Sequence, residues 1–347
     1  MMNKILVLAL TLLLPTTSIF AQHQASLEVV ATLETRPGNV AVSPDGRVFT
    51  TMHPLGNAKF QLIEITGEDS YALFPNAAYQ KTTTTPSMQQ FDTPLGIRID
   101  QNNVLWMIDI GLNLGITRLF AFDINTRKEV FRFDFPESIA PKSSFVQDLA
   151  VDEQNGWIYL ADIANPGILA LNTQTKAIRR FADETVQAEK IDMVIDGQLI
   201  YFGGAPASVA VNPITLSADR NTLYYGAMNG TTWYQVPATL FRTGKTNYEI
   251  SNAIKIAGPK PVSDGAATSA TGHHYFTNIQ HHGIDVLTPD GDLKPVYRNK
   301  QIDWPDNVAL GQQGWLYLTV NQLHKTPAFT GDGDQGKAPF YIYRVKL

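Results

Sequence analysis

Three aspartates, Asp148, Asp264 and Asp306, each sit at the head of a short apolar run in widely separated parts of this chain. If folding brings them together, two kinds of chemistry are open to them. Converging carboxylates bind a hard cation such as Ca²⁺ or Mg²⁺, which favours oxygen ligands. They also share a proton at a raised pKa and so act as acid or base. Oxygen-bearing amides accompany them: Gln147 beside Asp148, Asn307 beside Asp306, and Asn39 before an apolar run near the N-terminus. His53, His281-His282 and His324 lie in polar loops, and Trp233 opens a further apolar run. The candidate ligand-binding residues are therefore Asp148, Asp264, Asp306, Asn307, Gln147, Asn39, His53, His282 and Trp233. Asp264 is the candidate catalytic residue, and Asp264, Asp306 and Asn39 are the candidate metal ligands. A structural role competes at each of these, because Asp and Asn before a strand also bond to local backbone in turns.

What must position these residues is a repeat. Six times an apolar run, a polar turn and a second apolar run follow one another, starting at Val40, Ile97, Leu149, Val209, Ala266 and Val308. A period of roughly fifty residues in an all-strand pattern predicts radial repeats, one blade per unit. Each unit extends to four antiparallel strands. The sixth is one strand short, and Leu27 to Leu33 is left over before the first. The expected fold is an all-β, six-bladed β-propeller whose N-terminal strand completes the last blade and removes two exposed edges. Two segments interrupt the repeat: residues 75–93, expected as a surface loop, and residues 182–206, expected to hold a hairpin at Asp196-Gly197. In the fourth unit the outermost strand is displaced by residues 238–252.

Superposing the units puts Asp264 and Asp306 at equivalent positions, with Gly38, Leu95, Gln147 and Ala207 in the others. One place later come Asn39, Gly96, Asp148, Ser208, Gly265 and Asn307. In a meander blade, the loop before the first strand and the loop between strands two and three share one end. The acids, amides and loop histidines are thus expected at one channel mouth.

Bulk properties narrow the rest. The chain has 347 residues, 44% hydrophobic, and a formal net charge of -5. Core size is not limiting, and no basic stripe suited to nucleic acid is present. There is no cysteine, which excludes disulfides and thiolate chemistry. Residues 1–21 read as a secretory signal, with Lys4, the apolar run Ile5 to Leu14, and Ala21 at the cut. That run is too short to span a bilayer. The expectation is an exported chain, periplasmic or extracellular, with one propeller domain over 22–347.

The ordered series Gln147-Asp148-Leu149-Ala150-Val151-Asp152, Trp157-Ile158-Tyr159-Leu160-Ala161-Asp162, Val209-Ala210-Val211-Asn212-Pro213 and Asp303-Trp304-Pro305-Asp306-Asn307 resembles the major royal jelly protein/yellow family. The chain lacks the cysteines of the insect members and looks like a bacterial-type branch. The resemblance implies a six-bladed propeller, and in some members small amines bind in the channel mouth. Asp264-Gly265 is also similar, more distantly, to gluconolactonase-type propellers, in which acidic and amide side chains hold a metal. Gly38-Asn39 stands where their first acidic ligand is expected. Three functions follow: binding of a small organic ligand at the mouth, metal-dependent hydrolysis of lactones or related esters, or protein interaction and storage. Whether the chain is an enzyme stays open at this point.

Overall fold

The structure is a computed structural model that describes residues 26–56, 58–81 and 85–347. The export signal read in residues 1–21 lies outside the described residues. Six four-stranded antiparallel sheets form the molecule. Their innermost strands are Pro37–Val42, Pro94–Ile99, Val146–Asp152, Val211–Leu216, Ala266–Thr268 and Pro305–Leu310. Each touches the next around a ring, and the last touches the first. Alternation explains the burial: Val40, Ile97, Leu149, Ile214, Ala266 and Val308 point into the blade interfaces and are buried.

Ring closure is made as expected. Leu27–Leu33 pairs with Phe340–Lys346, placing Leu33 opposite Phe340 and Ala31 opposite Ile342. Arg344 meets Glu28 at 2.7 Å across the same ladder. Ala31 and Leu33 are buried against Val40, Ile63 and Ile342, so the strand also supports blade 1.

The inner strands share a device that matters for function. In blades 1, 2 and 6 a proline opens the strand, and the ladder then skips to Val40, Ile97 and Val308. Proline has no N–H to donate and suits this first position. The skipped residues form a bulge, which re-aims side chains towards the axis. In blade 4 the skip runs from Val211 to Ile214, which pairs with Tyr225. This corrects the repeat superposition: the blade 4 counterparts of Asp264 and Gly265 are Asn212 and Pro213, not Ala207 and Ser208.

The insertions at 182–206 and 238–252 carry regular elements. Residues 194–199 and 201–206 form two hairpins rather than one. In blade 4, helices Thr239–Arg242 and Asn247–Ala253 precede the outer strand, the second opened by a Thr246/Glu249 capping box. The 75–93 loop is not wholly on the surface. Gln80 is buried and bonds Gln61, Leu62 and Phe74 backbone groups, and Phe91 enters the core between blades 1 and 2.

Candidate functional site

The bulges of blades 3 and 6 and the segment that enters the blade 5 inner strand bring the acids to one end of the axis. At the first bulge position the ring reads Gly38, Leu95, Gln147, Asn212, Asp264 and Asp306, so blades 3 to 6 supply a continuous polar arc. Second-strand threonines fix the bulge backbone. Thr277 Oγ1 accepts the N–H groups of Asp264 and Gly265 at 2.9 and 3.1 Å. Thr51 and Thr319 do the same for Asn39 and Asn307. Thr277→Val is therefore expected to lower stability by about 1–3 kcal/mol through two orphaned donors, read by urea unfolding.

Both oxygens of Asp264 have donors. Its Oδ1 accepts from Gln147 Nε2 at 2.9 Å and Asn212 Nδ2 at 2.5 Å, and its Oδ2 accepts from Trp304 Nε1 at 2.8 Å. Asp306 differs. Its Oδ2 accepts from Asn321 Nδ2 at 2.6 Å, but its buried Oδ1 has no donor among the described residues. The Oδ1 atoms of Asn212 and Asn321 are buried without a donor as well. Asp148 bonds Arg98 at 3.1 Å and its Oδ1 takes the Leu149 N–H. Arg98 also donates to Asn307 Oδ1, which stands 3.4 Å from the Val40 N–H.

The three acids are 1–2% exposed. Burial raises the pKa of each. Asp148 is pushed up to about 6 despite Arg98. Asp306 is pushed up to about 7 against its Asn321 bond. Asp264 rises well above the carboxylate range, through burial first and then the Asp306 charge, opposed by Trp304 and Asn212. The pair Asp264/Asp306 therefore holds a proton near neutrality.

His53 belongs to the cluster's edge. Its Nδ1 accepts the Leu55 N–H, which assigns the ring proton to Nε2, and Nε2 points at Asp306 Oδ2 from 3.8 Å. Burial, with Arg36 nearby, pushes its pKa down to about 3, so it is neutral. It also reaches a lateral cavity of about 550 Å³ lined by Lys59, Lys81, Asp92 and Asn113.

Two candidates sit elsewhere. Trp233 does not line the mouth. It is fully buried between blades 4 and 5, edge-on to Phe276 at 5.0 Å and against His274, because the strand-three side chain turns into the blade interface. His282 lies at the rim, 3.2 Å from Asp196 of the inserted hairpin, with Nδ1 by the Ile302 carbonyl. Asn39 is buried at the blade 1 bulge. Sequence reasoning missed Asn212, Trp304, Asn321 and Arg98.

The mouth itself is covered. Met193, Ile195 and Ile200 from the insertion, with Ala207 and Val209 just after it, pack with Trp304, Leu323, Met228 and Ile279 from the blade loops, and Leu55 and Ile163 join from the other side. Phe202 meets Phe329 at 4.8 Å above them. Trp304 is thus the floor of an apolar cap and the roof of the acid cluster.

A closed ring of six four-stranded sheets with its polar bulges gathered at one pole is a six-bladed β-propeller with a capped axial acid–amide cluster. The chain belongs to the major royal jelly protein family, whose family model matches residues 93–346. It is 27% identical over 172 residues to major royal jelly protein 6 of Apis mellifera, covering 45% of this chain and 37% of that one. To major royal jelly protein 9 of the same species it is 23% identical over 233 residues, covering 62% and 52%. The alignments thus span about a third to a half of these relatives' own length. Among solved structures, a streptogramin B lyase superposes with a TM-score of 0.56 at 14% identity, covering 94% of this chain and 99% of that one. A gluconolactonase of Xanthomonas campestris gives 0.57 at 13% identity, covering 93% and 90%. At such identities these likenesses concern the fold.

Proposed function

We propose that this protein is a binding propeller that holds one small cationic group, a divalent ion or the ammonium of an organic amine, at its capped carboxylates. The observation that carries the reading is Asp306 Oδ1, a buried carboxylate oxygen with no donor among the described residues, in a cluster where Asn212 and Asn321 also leave buried amide oxygens unpartnered. Leaving such acceptors buried and unpaired is costly, and a cation relieves the cost. The donor set is all oxygen, which suits Ca²⁺ or Mg²⁺. Asp306 with the amide oxygens of Asn212 and Asn321 would hold the ion. Asp264, with its oxygens taken by three donors, would orient Asn212 and Gln147 instead. Among the described residues no group of three or more acidic or histidine side chains is arranged for a metal, so amides must complete the shell.

Because the acid pair holds a proton near neutrality, a cation must displace it, and affinity rises with pH through about 7. Calorimetry with CaCl₂, MgCl₂ and small primary amines, in buffers of different ionisation heat near pH 7, is expected to show binding with proton release. Asp306→Asn is expected to weaken it at least tenfold. No heat from any of these cations would end the reading.

Metal-dependent hydrolysis of lactones ranks second, favoured by Asp264-Gly265 just before the blade 5 inner strand. A bound ion would there polarise a carbonyl and acidify a water. Lactone turnover that appears with added metal and disappears with chelator would promote it. An interaction or storage role ranks third. It is favoured by the apolar cap and by exposed Tyr201 and Phe202 upon it. Export rests on residues 1–21, and N-terminal sequencing of the mature protein tests it by finding a start near Gln22.

A further inference from the structure

The pole opposite the cap is open. A cavity of about 400 Å³ runs up the axis there, within the range of small-molecule sites. Its wall contains the same position from all six inner strands: Ala41, Arg98, Ala150, Thr215, Ala267 and Ala309. Five small side chains and one arginine share that ring. The residue following each of these also lines the cavity, and those six are Val, Ile, Leu or Thr. The wall at these two rings is therefore aliphatic apart from Thr215, Thr268 and Arg98, and Arg98 is its only charge at these twelve positions.

Arg98 closes the inner end. Its guanidinium donates to Asp148 Oδ2 at 3.1 Å, Asn307 Oδ1 at 3.2 Å and the Ala266 carbonyl at 3.2 Å. Asp148 and Asn307 belong to the bulges, on the side of the acid cluster. The side chain is 19% exposed, so part of it still faces the shaft. The charges at the outer rim are committed to one another or to backbone. Glu153 is bridged by Arg220 at 3.0 and 3.1 Å. Asp100 accepts from Trp106 Nε1 and the Asn102 and Val104 N–H groups. Glu153 and Arg220 thus offset one another, whereas Asp100 keeps its charge among three neutral donors.

We propose that this shaft is a second binding site, at the pole opposite the capped cluster, for a small apolar molecule that carries a carboxylate, the tail lying against the aliphatic rings and the anionic end on Arg98. A planar guanidinium suits a carboxylate geometrically. The cavity admits a short alkyl or single-ring tail. The two poles then select opposite charges, with Arg98 standing between them.

The test is calorimetry with hexanoate and phenylacetate against their uncharged and cationic counterparts, 1-hexanol and hexylamine. Hexanoate is expected to bind at least tenfold more tightly than 1-hexanol, and hexylamine, titrated into Asp306→Asn so that the capped cluster does not take it, more weakly than either. Ala267→Leu fills the shaft and leaves the arginine in the sequence, and it is expected to cut hexanoate affinity at least tenfold while the far-ultraviolet circular dichroism is unchanged. Arg98→Gln is expected to erase the preference for hexanoate over hexanol. If Arg98→Gln fails to fold, because Asp148 loses its partner, Ala267→Leu alone decides. Equal affinity for hexanoate and hexanol in the unaltered protein, or hexanoate binding indifferent to Ala267→Leu, overturns the proposal.

Discussion

Removing residues 27–33 is expected to abolish the single cooperative unfolding transition or to lower stability by about 5 kcal/mol or more, which is comparable with the whole stability of an ordinary domain. The strand contributes the outer edge of blade 6 and ties both ends of the chain into one sheet. Its loss uncovers Ile342, a fully buried residue, and removes Ala31 and Leu33 from the cluster shared with blade 1. Each large apolar side chain returned to water costs roughly 1.5–3 kcal/mol, and the bared edge of Phe340–Lys346 invites pairing with another molecule. Differential scanning calorimetry reads the transition. A peptide spanning residues 26–34, added in excess, is expected to restore part of it. An unchanged thermal midpoint would show that the ring closes without this strand.

Asp306→Asn is expected to stabilise the cation-free protein above neutrality while removing the site's charge. The sign follows from the direction of the shift. Asp306 has a folded pKa of about 7, above its unfolded value. The folded state therefore binds the proton more tightly, and stability falls as pH rises from about 4 to about 7, then stays level. An amide in the same shape avoids that loss: its oxygen can accept from Asn321. The variant's advantage should be near zero at pH 4, grow to about 2–4 kcal/mol by pH 7.5, and level off. His53 and His274 are buried neutral, with pKa values pushed down to about 3 and about 4, so they destabilise the protein as pH falls below about 6.5. Comparing variant with unaltered protein at each pH subtracts the His274 contribution, and the His53→Gln background removes that of His53, which faces Asp306. Urea unfolding curves across that range check the pattern.

The sixfold ring was readable because each blade repeats one physical requirement, an alternating strand whose Val40-like residue enters a blade interface. Asp264 and Asp306 were readable for the same reason, since they stand at a fixed distance before that residue. Blade 4 misled because Val209-Ala210-Val211 imitates Val40-Ala41-Val42. A signal was present: Ile214 precedes Thr222 by the same separation as Val40 precedes Val48, whereas Val209 lies much farther from its partner strand. Reading that spacing would have put Asn212 in the polar ring. Trp233 misled because a residue that opens a strand near the mouth can still turn into the blade interface. The cap was not readable. Met193, Ile195 and Ile200 are scattered through a polar insertion, and only the fold sets them over Trp304. Arg98 was passed over because an arginine inside an apolar strand reads as a surface residue until the channel is built around it.

The measurement that bears most directly on the account is the carboxyl titration of Asp306, followed by ¹³C NMR with labelled aspartate and assigned by comparison with Asp306→Asn. Gathering Asp148, Asp264 and Asp306 in one dry axial cluster predicts a midpoint near 7 for Asp306 in cation-free buffer, moving downward when a bound cation takes the proton's place. A midpoint near 4, unmoved by Ca²⁺, Mg²⁺ or amines, would contradict the buried cluster and the cation-binding role built on it.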